Sequence, residues 1–214
     1  MDFISIKFVF YVAFIVLGYI KSVSTQDRKY LLFSLLGILD ICTNLLDIFI
    51  FTSNLELLMV NNLLTLGSYF LFFYFIKNIT ISKKLLFSIY SILSIYASIL
   101  FIFDWPKSNI ELYSKYGYLN YFEYSYFCIL ASVTCIIFCT LVLLKLFQNE
   151  KVPVNIVFII FGIITYYIGD IIKFGLGTQF LQDAHAHKEF MNAFVPIKLY
   201  TSKVFIIVGL LWKN

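Results

Sequence analysis

Seven apolar runs, most of them close to twenty residues long, constrain this chain more than anything else in its sequence. They are Phe3–Ile20, Leu31–Phe51, Leu57–Ile76, Leu85–Phe103, Tyr126–Phe147, Val154–Leu176 and Phe194–Trp212. About 20 helical residues at 1.5 Å each cross a hydrocarbon core of about 30 Å. The runs are continuous, whereas strands of a membrane barrel alternate lipid-facing and lumen-facing residues. Helices also satisfy their own backbone polar groups where no water is available. The sequence therefore predicts an all-α, polytopic transmembrane bundle of seven spans, forming one integral membrane domain over residues 1–214. Composition agrees: 61% of residues are hydrophobic and 13% charged, against about half and a quarter in a soluble domain. That leaves too little polar material for a water-facing surface, and it excludes disorder, a collagen-like fibre and a disulfide-stapled scaffold.

Orientation follows from Lys and Arg, which concentrate in cytoplasmic loops. Lys21, Arg28, Lys29, Lys77, Lys83, Lys84, Lys145, Lys151 and Lys213 fall on one side, and Lys107, Lys115 and Lys188 on the other. The expectation is an outside N-terminus, a cytoplasmic C-terminus and residence in the cell (inner) membrane. Lys7 makes the first span the weakest. A cleaved signal peptide is disfavoured, because Asp2 offsets Lys7 and cleavage would put two basic loops outside. Trp105, Trp212 and the tyrosine-rich stretch Tyr113–Tyr126 suit the membrane interfaces. The spans leave no room for a soluble output domain, so signalling would need a separate membrane or cytoplasmic partner protein.

Polar groups inside the spans carry the functional argument, since an ionisable side chain at membrane depth is costly unless paired or hydrated. Span two holds Asp40, Asn44 and Asp47 on one helical stripe. Span three begins with Asn61 and Asn62, span six holds Asp170 and Lys173, and span seven holds Lys198 and Lys203. At 1.5 Å per residue Asp40 lies about 16 Å, and Lys203 about 13 Å, below the outer ends of their spans. Those two form a midplane layer; Asp47, Asp170, Lys198, Asn61 and Asn62 form an outer one. Lys198 and Lys173 are near enough to the surface to snorkel outward, but Lys203 is too deep and should face the interior with a carboxylate partner. Together Asp40, Asn44, Asp47, Asn61, Asn62, Asp170, Lys198 and Lys203 outline a polar cavity open to the outside. The competing reading is that they are structural ion pairs and interhelical hydrogen bonds.

Other signals are thinner. Cys42, Cys128, Cys135 and Cys139 lie within spans, three of them on one face of span five, and read as small packing residues. Asn78-Ile79-Thr80 matches a glycosylation acceptor but falls on the cytoplasmic side. His185 and His187 would point the same way on an extended strand and are the weak candidates for a metal site; a solvated loop fits them better. No cofactor motif, phosphate-binding glycine loop, serine elbow or nucleic-acid-binding basic patch occurs.

The spacing of polar and small residues resembles the YhhN-type lysoplasmalogenase-like membrane proteins. Gly162, Tyr166, Gly169 and Asp170 fit that family's Gly-x3-aromatic-x2-small-Asp arrangement, and Ser202, Lys203, Phe205, Ile206 and Gly209 resemble its Ala-Gln-x-Leu-Ile-x2-Gly ending. Ser68, Tyr69 and Phe72 stand where the family tends to have Ser-His-x-x-Tyr, and Asp40 stands where its first aspartate belongs. The histidine is thus a tyrosine, the glutamine a lysine, and Leu39 replaces the glycine before Asp40. The resemblance implies an all-helical bundle and a lysolipid hydrolase in which Asp40 and Asp170 are the catalytic residues. A lysine at the glutamine position would ion-pair an aspartate meant to activate water.

The first functional expectation is a sensor or accessory module that binds a small amphipathic or lipid-like ligand in the outward cavity and acts through a partner. The hydrolase requires both carboxylates on one water, at about 3 Å each. A small-solute transporter using the Asp40/Lys203 layer is a third reading; Gly162, Gly169 and Gly175 would loosen span six, although no proline breaks it. A retinal protein is disfavoured, because span three has no carboxylate counter-ion. An accessory subunit of a larger complex is a further reading.

Overall fold

The computed structural model describes residues 3–49, 122–148, 152–179 and 184–212, together with eleven helical positions between Gly67 and Ile95. Side chains at 3–6, 43–49, 122–127 and a few positions near 174–192 lie outside the description. Five α-helices account for the continuous segments: α1 Phe3–Thr25, α2 Leu31–Phe49, α3 Phe122–Phe147, α4 Val154–Gln179 and α5 Ala184–Leu211. No strand occurs among the described residues. Among the described residues four helical windows are long and apolar enough to cross a membrane: Lys7–Thr25, Cys128–Phe147, Val154–Lys173 and Ala193–Leu211. Spans three and four of the sequence reading fall mostly outside the described residues.

The turn between α1 and α2 shows why the first helix stops. Ser24 and Thr25 hydroxyls donate to the Lys21 carbonyl, and Gln26 takes the left-handed conformation (φ 55°) that commonly ends a helix. Asp27 then caps a short 3-10 turn, Arg28–Tyr30, by accepting from the Lys29 amide at 3.1 Å. Its carboxyl is pushed up by partial burial, but the Lys29 hydrogen bonds and charge outweigh this and hold it below the usual value. At the start of α4 the Pro153 carbonyl accepts from the amides of Ile156 and Val157. A proline suits this end, where its missing N–H has no helical partner to lose.

Two antiparallel hairpins form the frame, α1 with α2 and α4 with α5. α3 packs on α4, and α1 packs on α5 to join the hairpins. Helices in lipid gain little from burying apolar surface, so they associate by close contact at small residues and by interhelical hydrogen bonds. A Cβ on Gly37 would lie 2.7 Å from the Tyr11 carbonyl oxygen, and one on Gly162 2.8 Å from that of Ser202. Each close approach admits a hydroxyl bond across the hairpin: Ser34 donates to the Ile15 carbonyl and Ser202 to the Gly162 carbonyl, both at 2.8 Å. Gly162 and Gly169 thus tighten span six instead of loosening it. A Cβ added at Gly175 would meet no atom of the described residues within 4 Å.

The core is aromatic and aliphatic. Phe33 packs edge-on against Phe14 and Phe75, while Phe72 meets Tyr166 and Tyr167, so the helical residues Phe72 and Phe75 sit between α2 and α4. Cys128, Cys135 and Cys139 are buried and unoxidised on the inner face of α3. The opposite face presents Leu130, Val133, Ile137, Leu141 and Leu144 outward, as a lipid-facing stripe should.

Candidate functional site

α5 lies between α4 and α1 and carries Lys198 and Lys203. Residues five apart differ by about 140° around a helix, so one lysine addresses α4 and the other the first hairpin. Lys203 is buried, with its ammonium 2.9 Å from Asp40 Oδ2 on α2. The same ammonium stands 3.8 Å from the ring centre of Tyr11 and 5.7 Å from that of Phe14, both on α1. A carboxylate and an aromatic face together clasp the cation from two helices, each compensating part of its lost hydration. Exposure is unequal within the pair: the side chain of Lys203 is 8% exposed and that of Asp40 37%. Lys7 on α1 is half-buried and within electrostatic range of Lys203.

The second pair sits deeper in protein. Lys198 donates to Asp170 Oδ1 on α4 and lies over the Tyr166 ring at 4.1 Å; the two side chains are 4% and 2% exposed. Gly169 makes room for it, since a Cβ there would collide with the Lys198 methylenes. Of the two courses open to Lys198, snorkelling outward or facing the polar interior with Asp170, it takes the second. With Asp170 and Tyr166 within reach, turning inward leaves its charge compensated without stretching to the interface. Lys173, one turn from Asp170, is half-buried.

A third polar cluster ties the hairpins at the opposite end. Lys21 is buried and donates to the Trp212 carbonyl at the end of α5. A cation there meets the negative end of the helix dipole and an otherwise unmatched carbonyl. Beside it Asn155 of α4 donates to the Tyr30 hydroxyl at 2.9 Å, and Asn155 Oδ1 has no hydrogen-bond partner among the described residues. Burial raises the Tyr30 phenol, partly opposed by the Asn155 bond, to about 12. Trp212 packs on Phe158. Sequence reasoning missed this cluster by counting Lys21 only as a loop charge. Asn155, a polar residue just inside span six, was the available signal.

Asn44 and Asp47 have described backbone in α2 but side chains outside the description, and Asn61 and Asn62 lie outside the described residues. The extended strand expected around the histidines is corrected: residues 184–189 are helical, and positions two apart on a helix diverge by about 160°. His185 instead sits 3.7 Å from Glu189, one turn away on an exposed face. Among the described residues no group of three metal-ligating side chains forms.

No protein-family model, curated protein or solved structure matches the chain. Of the residues that carry the YhhN-like spacing, those on α4 and α5 lie at the contact between these two helices. Gly162 meets Ser202 and Ile206, Gly169 meets Lys198, and Gly209 meets Asn155 and Ile159.

Proposed function

We propose that the chain is a seven-span membrane protein, N-terminus outside, whose polar interior opens outward to bind a small amphipathic or lipid-like ligand. It acts as a sensor or accessory module with a separate partner. The observation that carries this reading is the Lys203–Asp40 pair. It is an ion pair between the two hairpins, clasped by Tyr11, with the carboxylate more than a third exposed. A ligand that competes for one member changes how the hairpins are held together, which is the kind of two-state element a sensor needs. The hydrolase reading is not carried forward, because Asp40 and Asp170 each engage a different lysine and a shared catalytic water needs both. The YhhN-like spacing is read as a shared pattern of helix packing.

The test is purification in mild detergent with lipidomics on the wild type, Asp40→Asn and Asp170→Asn. The reading expects a co-purifying amphiphile that Asp40→Asn loses. A changed lysolipid profile in cells would favour hydrolysis, and no difference would leave the pairs structural.

A further inference from the structure

Resting on that reading, the geometry points to the class of ligand: we propose that the Asp40 site takes an amphipathic ammonium ion in exchange for a proton of Lys203. The site already binds an ammonium, its own. The groups around Lys203 Nζ, a carboxylate oxygen at 2.9 Å and the face of Tyr11 at 3.8 Å with Phe14 beyond, are those that recognise an alkylammonium. Lys203 is thus a tethered occupant, and Asp40, the more exposed partner, is the member an incoming cation meets first.

Charge balance then governs Lys203. If a second ammonium takes the carboxylate, Lys203 is left cationic in a dry interior, with Lys7 of α1 also within electrostatic range. Among the described residues, Lys198 on the same helix is already held by Asp170. An unpaired buried ammonium sheds its proton. One N–H bond of Lys203 breaks, its electron pair stays on Nζ, and the proton leaves to solvent. One cation enters, one proton departs, and the net charge of the site is unchanged. An anionic ligand would have to reach Lys203, the more buried member of the pair, past aromatic faces that favour cations.

The experiment uses the full chain in lipid nanodiscs, titrated calorimetrically with hexylamine, 1-hexanol and hexanoate in two buffers of different ionisation enthalpy. Hexylamine should bind with release of about one proton per cation. Lys203→Met should bind it about tenfold tighter or more and release none, because the competing occupant is gone. Lys203→Arg, which keeps its charge, should bind it more weakly than wild type. Binding of hexylamine without proton release, or unchanged in Lys203→Met and Asp40→Asn, overturns the proposal. Hexanoate or hexanol binding that depends on Lys203 or Asp40 overturns the ammonium assignment but keeps the ligand-binding reading. If none of the three probes binds in a way that depends on either residue, both fail.

Discussion

Alanine at Gly162 and alanine at Gly175 are the same substitution on the same helix, and the packing predicts opposite outcomes. The new Cβ at position 162 falls 2.8 Å from the Ser202 carbonyl oxygen and 3.0 Å from the Ile206 amide nitrogen. Both neighbours are backbone, so no side-chain rotation relieves the contact and α5 must move away from α4. Overpacking of this kind costs about 1–3 kcal/mol. The displacement also stretches the 2.8 Å bond from Ser202 to the Gly162 carbonyl, and such bonds between membrane helices contribute about 0.6 kcal/mol. Alanine recovers about 0.5–1 kcal/mol in helix propensity, leaving a net loss of about 0.5–3 kcal/mol. A Cβ added at Gly175 would meet no atom of the described residues within 4 Å, so the propensity gain is unopposed by overpacking. Reversible unfolding in mixed dodecylmaltoside–SDS micelles should separate the two variants by about 2 kcal/mol or more. Equal stability, or a more stable Gly162→Ala, would refute close approach as the basis of the α4–α5 contact.

Tyr30 gives a prediction in pH. Its phenol rises from 10.0 to about 12 in the folded protein, so its contribution is whole below pH 10 and is lost as pH climbs towards 12. Wild-type stability should fall over that window, and Tyr30→Phe, already weakened by about 1–3 kcal/mol through the orphaned Asn155 amide, should not show that fall. Lys21→Met removes the cation from the C-terminal end of α5 and should cost about 1 kcal/mol in the same unfolding assay. Single cysteines at Ser24 and Glu189, in a background lacking the native four, should label with an impermeant maleimide only from the cytoplasmic and only from the outer face, respectively. Labelling of both from one face contradicts the orientation.

Much of the fold was legible because apolar run length is a direct consequence of bilayer thickness. α1, α2 and α4 begin at residues read from the sequence, and the Asp40/Lys203 layer was set by depth arithmetic alone. Extent beyond the membrane was not legible. α5 starts at Ala184 instead of Phe194, because a helix has no reason to stop at the interface, and this overturned the strand reading of His185 and His187. Whether Lys198 snorkels or turns inward was not legible, because that depends on whether an acid and a space lie nearer than the interface; Asp170 and Gly169 supply both. The Lys21–Trp212 contact joins residues 191 apart in sequence; no local pattern encodes it.

The central claim is that Asp40 and Lys203 act as one unit inside the bundle, and a double-mutant cycle tests it most directly. Asp40→Asn leaves the buried Lys203 charge without that counter-ion and should cost about 3–5 kcal/mol; Lys203→Met leaves the charge of the partly exposed Asp40 without this lysine and should cost less. The double variant leaves none and should recover most of that loss, giving a coupling of about 2 kcal/mol or more. Single-variant costs that simply add in the double variant would contradict the account.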